Sequence, residues 1–269
     1  MAFGLIIIGD EILSGKRQDK HLPKVIELLS ARGLALSWAR YIGDERERIT
    51  AALRDAFASG DIVFSCGGIG ATPDDHTRQC AAAALDRPLA LHPEARLLIE
   101  ARMRDVALEQ GTTYEPDRPD NVHRLNMGVF PAGAQIIPNP YNKIPGFSVG
   151  EVHFVPGFPV MAHPMIEALL DGRYGALHGS QVVAEQSMIV AGSMEATLTP
   201  LMEAIEAGHP GIKVFSLPSV DHPQWGRHIE LGVKGAAEAV PPAYADLKAG
   251  LVALNAEIRT ELVRPVSTN

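Results

Sequence analysis

The chain is 269 residues long, with 46% hydrophobic residues, 21% charged residues and a formal net charge of −8. That length buries a sizeable core and allows one or two domains. The acidic balance argues against general affinity for nucleic acid or anionic membranes, while leaving room for a local phosphate pocket. Two cysteines, Cys66 and Cys80, supply neither a disulfide framework nor a zinc spacing, so a reducing, cytoplasmic setting is expected.

The opening apolar run lacks a basic leader and a small-residue cleavage site and is broken at once by Gly9-Asp10-Glu11. It therefore reads as a strand over Phe3 to Ile8 and not as a signal peptide, and no run approaches membrane-spanning length. Apolar throughout, this strand belongs in the middle of a parallel sheet. It ends in Gly9-Asp10-Glu11-Ile12-Leu13-Ser14-Gly15-Lys16, with acids, glycines and a hydroxyl at the strand's carboxyl end. Helical periodicity follows in Leu22, Val25, Ile26, Leu28 and Leu29 and stops at Gly33. Leu34 to Ile42 reads as a second strand closed by Gly43-Asp44, and Glu45 to Ala58 as an amphipathic helix.

A third strand, Ile62 to Ser65, leads into Cys66-Gly67-Gly68-Ile69-Gly70-Ala71-Thr72-Pro73-Asp74-Asp75-His76-Thr77, and a helix runs from Thr77 to Leu85. A short extended piece from Pro88 to Leu91 precedes a charged helix starting near Pro93-Glu94. Residues 111–121 are polar and proline-rich, a surface excursion. Gln135 to Ile137 and Glu151 to Val155 read as strands ending in Pro138-Asn139-Pro140 and Pro156-Gly157-Phe158-Pro159, with a helix over Val160 to Leu170. Strands alternating with helices make residues 1–173 a three-layer, doubly wound, mostly parallel α/β domain.

Asp171 to Gly175 reads as a hinge. Beyond it, strands are expected over Val182 to Val190, Ile212 to Leu217 and His228 to Val233. Helices are expected over Met194 to Ala207 and Tyr244 to Ile258, and a turn over Pro218 to Pro223. Residues 174–269 are thus a smaller α+β domain, expected to serve dimerisation or as a lid. Its KH-like order of elements does not imply RNA binding, because no GXXG clamp is present.

Chemistry-bearing residues gather where strands end. Glycines there let backbone N–H groups approach a phosphate, and the following helix adds its positive end. This points to Gly9, Asp10, Ser14, Asp44, Gly67, Gly68, Gly70, Thr72, Thr77, Asn139 and Gly157 as ligand-binding candidates. Asp74 and Asp75 repel phosphate unless a divalent cation bridges them, so this pair is expected at a cation held by hard oxygen ligands. Taken singly, Asp44, Asp74 and each hydroxyl read equally as turn formers and caps, whereas glutamate is a poor N-cap, which favours a site role for Glu11. Lys16 reads as a solvated lysine. Ten histidines are scattered without paired helical spacing, and only His76 lies in the motif. Cys66 reads as core and Cys80 lacks a His-Asp context, so thiol catalysis is rejected. Gly67-Gly68-Ile69-Gly70 is not the G-x-G-x-x-G of a dinucleotide fold.

The segments Gly9 to Gly15, Gly67 to Thr77 and Val155-Pro156-Gly157 resemble the motifs of the MoaB/Mog molybdopterin-binding fold family. In order and spacing they are most similar to the amino-terminal part of the competence/damage-inducible CinA type. The resemblance covers about residues 3–172; residues after 174 resemble the smaller middle domain of that type more weakly, and no carboxyl-terminal deamidase domain follows.

Two activities are implied. The first is metal-dependent hydrolysis of a nucleotide diphosphate such as ADP-ribose or FAD; the family's active glutamate and late aspartate map onto Glu11 and Asp75, so Glu11, Asp74 and Asp75 are expected as the catalytic residues and as the ligands of Mg²⁺, Mn²⁺ or Co²⁺. The alternative is molybdopterin binding without turnover. Either way the partner is a phosphorylated small molecule, in a homo-oligomer. One departure is that the family's Asp-Thr-Asn is replaced here by Asp19-Lys20-His21.

Overall fold

The structure, a computed structural model, describes residues 2–179 and 183–264. Contacts divide the chain into two compact units, residues 1–29 with 35–176, and residues 30–34 with 177–269.

The first unit opens with β1 (Phe3–Ile8), a one-turn α1 (Asp10–Leu13), α2 (His21–Ser30), β2 (Leu36–Ile42), α3 (Arg46–Ser59) and β3 (Ile62–Cys66). There follow α4 (Thr77–Leu85), β4 (Leu89–Leu91), α5 (Pro93–Glu109), α6 (Pro119–Arg124), β5 (Val129–Pro131) and β6 (Gln135–Ile137). The unit closes with β7 (Gly146–Val149), β8 (Val152–Val155) and α7 (Pro159–Gly172). The six-stranded sheet has the order β2-β1-β3-β8-β7-β6. The first four strands are parallel; β7 runs against both β8 and β6.

Because β2 lies on one side of β1 and β3 on the other, the chain reverses its direction of travel at β1. Right-handed crossovers then place α2 and α3 on opposite faces, and the reversal leaves a crevice at the carboxyl ends of β1 and β3. Every residue of β1, β3, β7 and β8 is buried, as strands covered on both faces must be. Stacked Phe130, Phe147 and Phe154, with centroids 4.5 and 4.4 Å apart, fill the core beside Ile6, Val63 and Leu53.

Several boundaries differ from expectation. The strand β7 was not foreseen; it pairs with β8 across a tight turn at Gly150. The expected hinge starts too early, since Asp171 and Gly172 still belong to α7.

The second unit runs β9 (Val183–Ala191), α8 (Glu195–Gly208), β10 (Lys213–His222), β11 (Gly226–Ala236), α9 (Val240–Ala253) and β12 (Glu257–Arg264), with sheet order β10-β11-β9-β12. Val182, expected to begin its first strand, and the tail 265–269 lie outside the described residues. The expected turn at Pro218 to Pro223 is largely strand, as β10 continues to His222. The expected helix to Ile258 ends at Ala253, because Asn255 takes φ +56° and β12 follows. The resulting β-α-β-β-α-β order with an antiparallel sheet is a split-βαβ arrangement.

One buried polar chain in the first unit yields a pH prediction. Ser148 Oγ donates to His153 Nδ1 (2.7 Å), His153 Nε2 donates to the Tyr174 hydroxyl, and that hydroxyl donates to Glu151, which also holds Arg173 at 2.7 Å. Burial, followed by the charge of Arg173, pushes the His153 pKa down to about 3 against the raising effect of Glu151. A histidine with a depressed folded-state pKa favours the folded state fully above its unfolded value of about 6.5, and that contribution is lost as pH falls toward the folded value. At about 1.4 kcal/mol per unit, lowering pH from 7 to 5 should cost about 2 kcal/mol through this group. Urea melts at the two pH values should therefore show a smaller loss for His153→Gln than for wild type; equal losses would mean that His153 does not carry the effect.

Candidate functional site

The site is assembled from the glycines that end the central strands. Gly9 N donates to Ile42 O (3.0 Å) and Gly67 N to Val155 O (3.1 Å), so the sheet ladder runs one residue beyond β1 and β3. Gly67 and Gly68 have φ of +106° and +68°, conformations that only glycine enters without strain. A Cβ on Gly67 would lie 2.3 Å from the Ile8 carbonyl oxygen, and one on Gly68 would lie 2.1 Å from Thr77 Oγ1.

Three successive carbonyls of this turn are tied inward. Gly67 O accepts from Thr77 Oγ1 (3.0 Å), Gly68 O from Thr77 N (3.0 Å), and Ile69 O from the buried guanidinium of Arg78. In a planar trans peptide the C=O and the following N–H point in opposite directions. The N–H groups of Gly68, Ile69 and Gly70 are therefore turned away from these anchors, and among the described residues no protein acceptor takes them. All three residues line a cleft of about 350 Å³. Successive backbone amides facing one concavity make an anion-binding nest.

The far wall is a clasp. Asp75 Oδ2 accepts from both Thr72 N (2.8 Å) and Thr72 Oγ1 (2.5 Å), while Asp75 N returns a bond to Thr72 O (3.0 Å). His123 Nε2 braces the loop from outside by donating to Ala71 O at 3.0 Å. On the opposite side Asp10 N donates to Asp44 Oδ2 (3.0 Å) and Asp44 N to Asp10 Oδ1 (3.2 Å), a reciprocal pair that joins the ends of β1 and β2.

Ten expected residues therefore meet at one cleft: Gly9, Glu11, Asp44, Gly67, Gly68, Gly70, Thr72, Asp74, Asp75 and Gly157. Four do not reach it. Asp10 is spent on Asp44, and Ser14 caps α1 through its own N–H. Thr77 is buried and consumed by the turn. Asn139 is buried; its side chain bonds Asn142, Ile144 O and Tyr141 N (2.8–3.0 Å) to hold its own loop beside a smaller cavity.

Burial raises the Asp44 carboxyl above its ordinary range, and the charges of Asp10, Glu11 and Asp74 raise it further despite the bond from Asp10 N. Acids thus crowd this mouth, yet among the described residues no three His, Cys, Asp or Glu side chains converge as a metal set. Glu11, Asp74 and Asp75 share the cleft without forming a three-donor site, and Asp75 Oδ2 is already engaged. A hard cation fits this arrangement only as Mg²⁺ often binds, through one or two carboxylates plus phosphate oxygens of the ligand.

Sequence reasoning missed several contributors. Arg17 and Phe158 line the cleft, with the guanidinium carbon 5.9 Å from the ring centre. Arg78, a cation inside a helix pattern, carries no motif signal. His21 stands where the family motif differs: it is buried, its Nε2 donates to Gly157 O (3.1 Å), and burial lowers its pKa. That difference was the one visible signal.

A family model described as "Probable molybdopterin binding domain" matches residues 4–174. A "CinA-like protein" of Anaeromyxobacter dehalogenans (strain 2CP-C) is 33% identical over 164 residues, 60% of this chain and 38% of the relative. The first relatives of this kind are thus more than twice as long as the part this chain spans, which is 38% to 42% of each. A protein of Pyrobaculum calidifontis is 29% identical over 255 residues, covering 91% of this chain and 92% of its own length. Among solved structures, the CinA protein of Thermoplasma acidophilum, described as of unknown function, is 26% identical with a TM-score of 0.52, over 63% of this chain and 96% of that one.

Proposed function

This chain belongs to the molybdopterin-binding domain family, and from that premise we propose that its strand-edge nest binds the phosphate of a molybdopterin-type ligand. The observation that carries the reading is the trio of unbonded amides on Gly68, Ile69 and Gly70, held outward by Thr77 and Arg78. Net charge opposes a dianionic ligand at long range, so binding rests on this local cradle and on Arg17, the cation in the cleft lining.

A second reading, hydrolysis of a nucleotide diphosphate such as ADP-ribose or FAD, has one observation in its favour. The carboxylates of Glu11, Asp44 and Asp74 crowd one mouth, and a divalent cation bound with the ligand would relieve their repulsion. Such a cation would lower the pKa of a bound water and neutralise the diphosphate. Glu11 and Asp74 would hold it together with phosphate oxygens, and a remaining carboxylate would take the proton from the water.

The two readings separate in one experiment. Purified protein is assayed for retained pterin fluorescence, then incubated with Mg²⁺, Mn²⁺ or Co²⁺ and ADP-ribose, FAD or NAD while AMP is followed. Pterin retention, or saturable binding of a phosphorylated pterin, without AMP release is expected. Multiple-turnover AMP release with no pterin affinity would replace the first reading by the second.

A further inference from the structure

The loop that carries Thr72 and Asp75 lines a second cavity, of about 520 Å³, beside the cleft that holds the glycine nest. The starts of α3 and α4 and the end of α6 wall it through Arg46, His76, Arg78, Gln79 and His123. The volume falls in the range of small-molecule sites.

The charge in it runs against the acidic balance of the chain. Among the described residues Asp75 is the only acid of the lining, and its Oδ2 is already taken by Thr72. Neither Arg46 nor Arg78 joins an ion pair with a described carboxylate.

Arg78 is the decisive group. It is only 4% exposed, and its Nη1 donates to Ile69 O. Its Nε and Nη2 meet no acceptor among the described residues, yet neither is sealed from solvent. The cavity that Arg78 lines is where they open. Burial lowers the Arg78 pKa, and the charge of Asp75 raises it by less. A buried cation without an ion pair is costly unless an anion joins it.

The helix α4 begins at the same wall. No side chain caps it, and Thr77 N is taken by Gly68 O. The amides of Arg78 and Gln79, by contrast, bond no protein acceptor among the described residues. They are part of the positive end of a nine-residue helix.

We propose that this cavity binds a small phosphate monoester, its dianionic head held by Nε and Nη2 of Arg78, the free amides of α4 and, from the rim, Arg46. A guanidinium fork meets two oxygens of a phosphate through paired hydrogen bonds. With two guanidiniums and two amides to satisfy, a three-oxygen head fits where a two-oxygen carboxylate leaves donors unmet. Pro73 and Val129 wall the remaining volume, which takes the organic part. His76 is half-buried in the same lining, and its ring senses an occupant.

The test follows the imidazole NMR signals of His76 in the full chain, labelled at histidine, while inorganic phosphate and then glycerol 3-phosphate are added at constant pH and ionic strength. Saturable shifts are expected in the millimolar range or below, with the ester at least as tight as phosphate. Arg46→Gln and Arg78→Lys, which loses the fork but keeps the charge, should each weaken binding by about tenfold or more, the scale of a lost charge-assisted hydrogen bond. Circular-dichroism melts of Arg46→Gln should match wild type, because Arg46 is exposed and only its backbone is bonded. Chloride moving the signals equally, a response that never saturates, or wild-type phosphate affinity in both variants would overturn the proposal. Arg46 does not line the strand-edge cleft, so Arg46→Gln should keep its affinity for a phosphorylated pterin within about threefold. Failure of the second cavity would therefore leave the nest reading standing.

Discussion

Gly68→Val is expected to abolish phosphate-ligand binding, whereas Lys16→Ala should leave the affinity within about threefold of wild type. Gly68 sits at φ +68°, and its added Cβ would fall 2.1 Å from Thr77 Oγ1. The left-handed conformation costs roughly 1–2 kcal/mol for a residue with a Cβ, and the forced contact about 1–3 more. More damaging than either is the consequence for the turn. To admit the side chain, Thr77 must release Gly67 O, and the carbonyls that hold three amides outward lose their anchor. Lys16 is exposed and absent from the cleft lining. Titration of both variants with the same phosphorylated pterin, at fixed salt and cation, decides the matter, with thermal melts alongside to separate unfolding from loss of the nest. A silent Gly68→Val with a damaging Lys16→Ala would place the phosphate in another loop.

The second large effect divides Asp75 from Glu11. Asp75→Asn keeps the volume but removes the charge that draws both Thr72 donors, so the wall should loosen with or without a cation. A hydrogen bond to a charged group contributes about 1.5–3 kcal/mol, which corresponds to roughly tenfold or more in ligand affinity. Glu11 lines the cleft, and among the described residues no donor bonds its side chain. Its change to Gln should therefore be felt only where a cation is involved. If the protein hydrolyses a diphosphate, Glu11→Gln should lose turnover on the order of 10²-fold or more. If it only binds a pterin, Glu11→Gln should titrate like wild type in chelator, and Asp75→Asn should not. Equal behaviour of the two variants in chelator would refute the distinct roles given to them here.

Much of the first unit was legible because its strands are short apolar runs closed by glycine, and buried parallel strands must read that way. The crevice was legible for the same reason: Gly9, Gly67 and Gly157 mark where strands stop. What a linear pattern does not disclose is which way a polar side chain turns. Thr77 and Asn139 have the same composition signal as Thr72, yet both face inward and hold backbone.

Partners distant in sequence were equally hidden. His21 meets Gly157 across 136 residues and His123 meets Ala71 across 52, and neither histidine lies in a spacing that suggests a site. In the second unit the helical run toward Ile258 masked a strand. Only the left-handed turn at Asn255 breaks it, and the alternation Glu257, Arg259, Glu261 with Ile258 and Leu262 then becomes visible as β12.

The brace from His123 has an evolutionary consequence. Surface excursions ordinarily drift in length without penalty, since little depends on where they end. Here the stretch between α5 and β5 delivers the imidazole that steadies the loop carrying Thr72 and Asp75. An insertion or deletion there would shift the latch side of the cleft while leaving every motif residue intact. Lineages of this family can therefore diverge in ligand preference through a segment that alignment of their motifs would pass over.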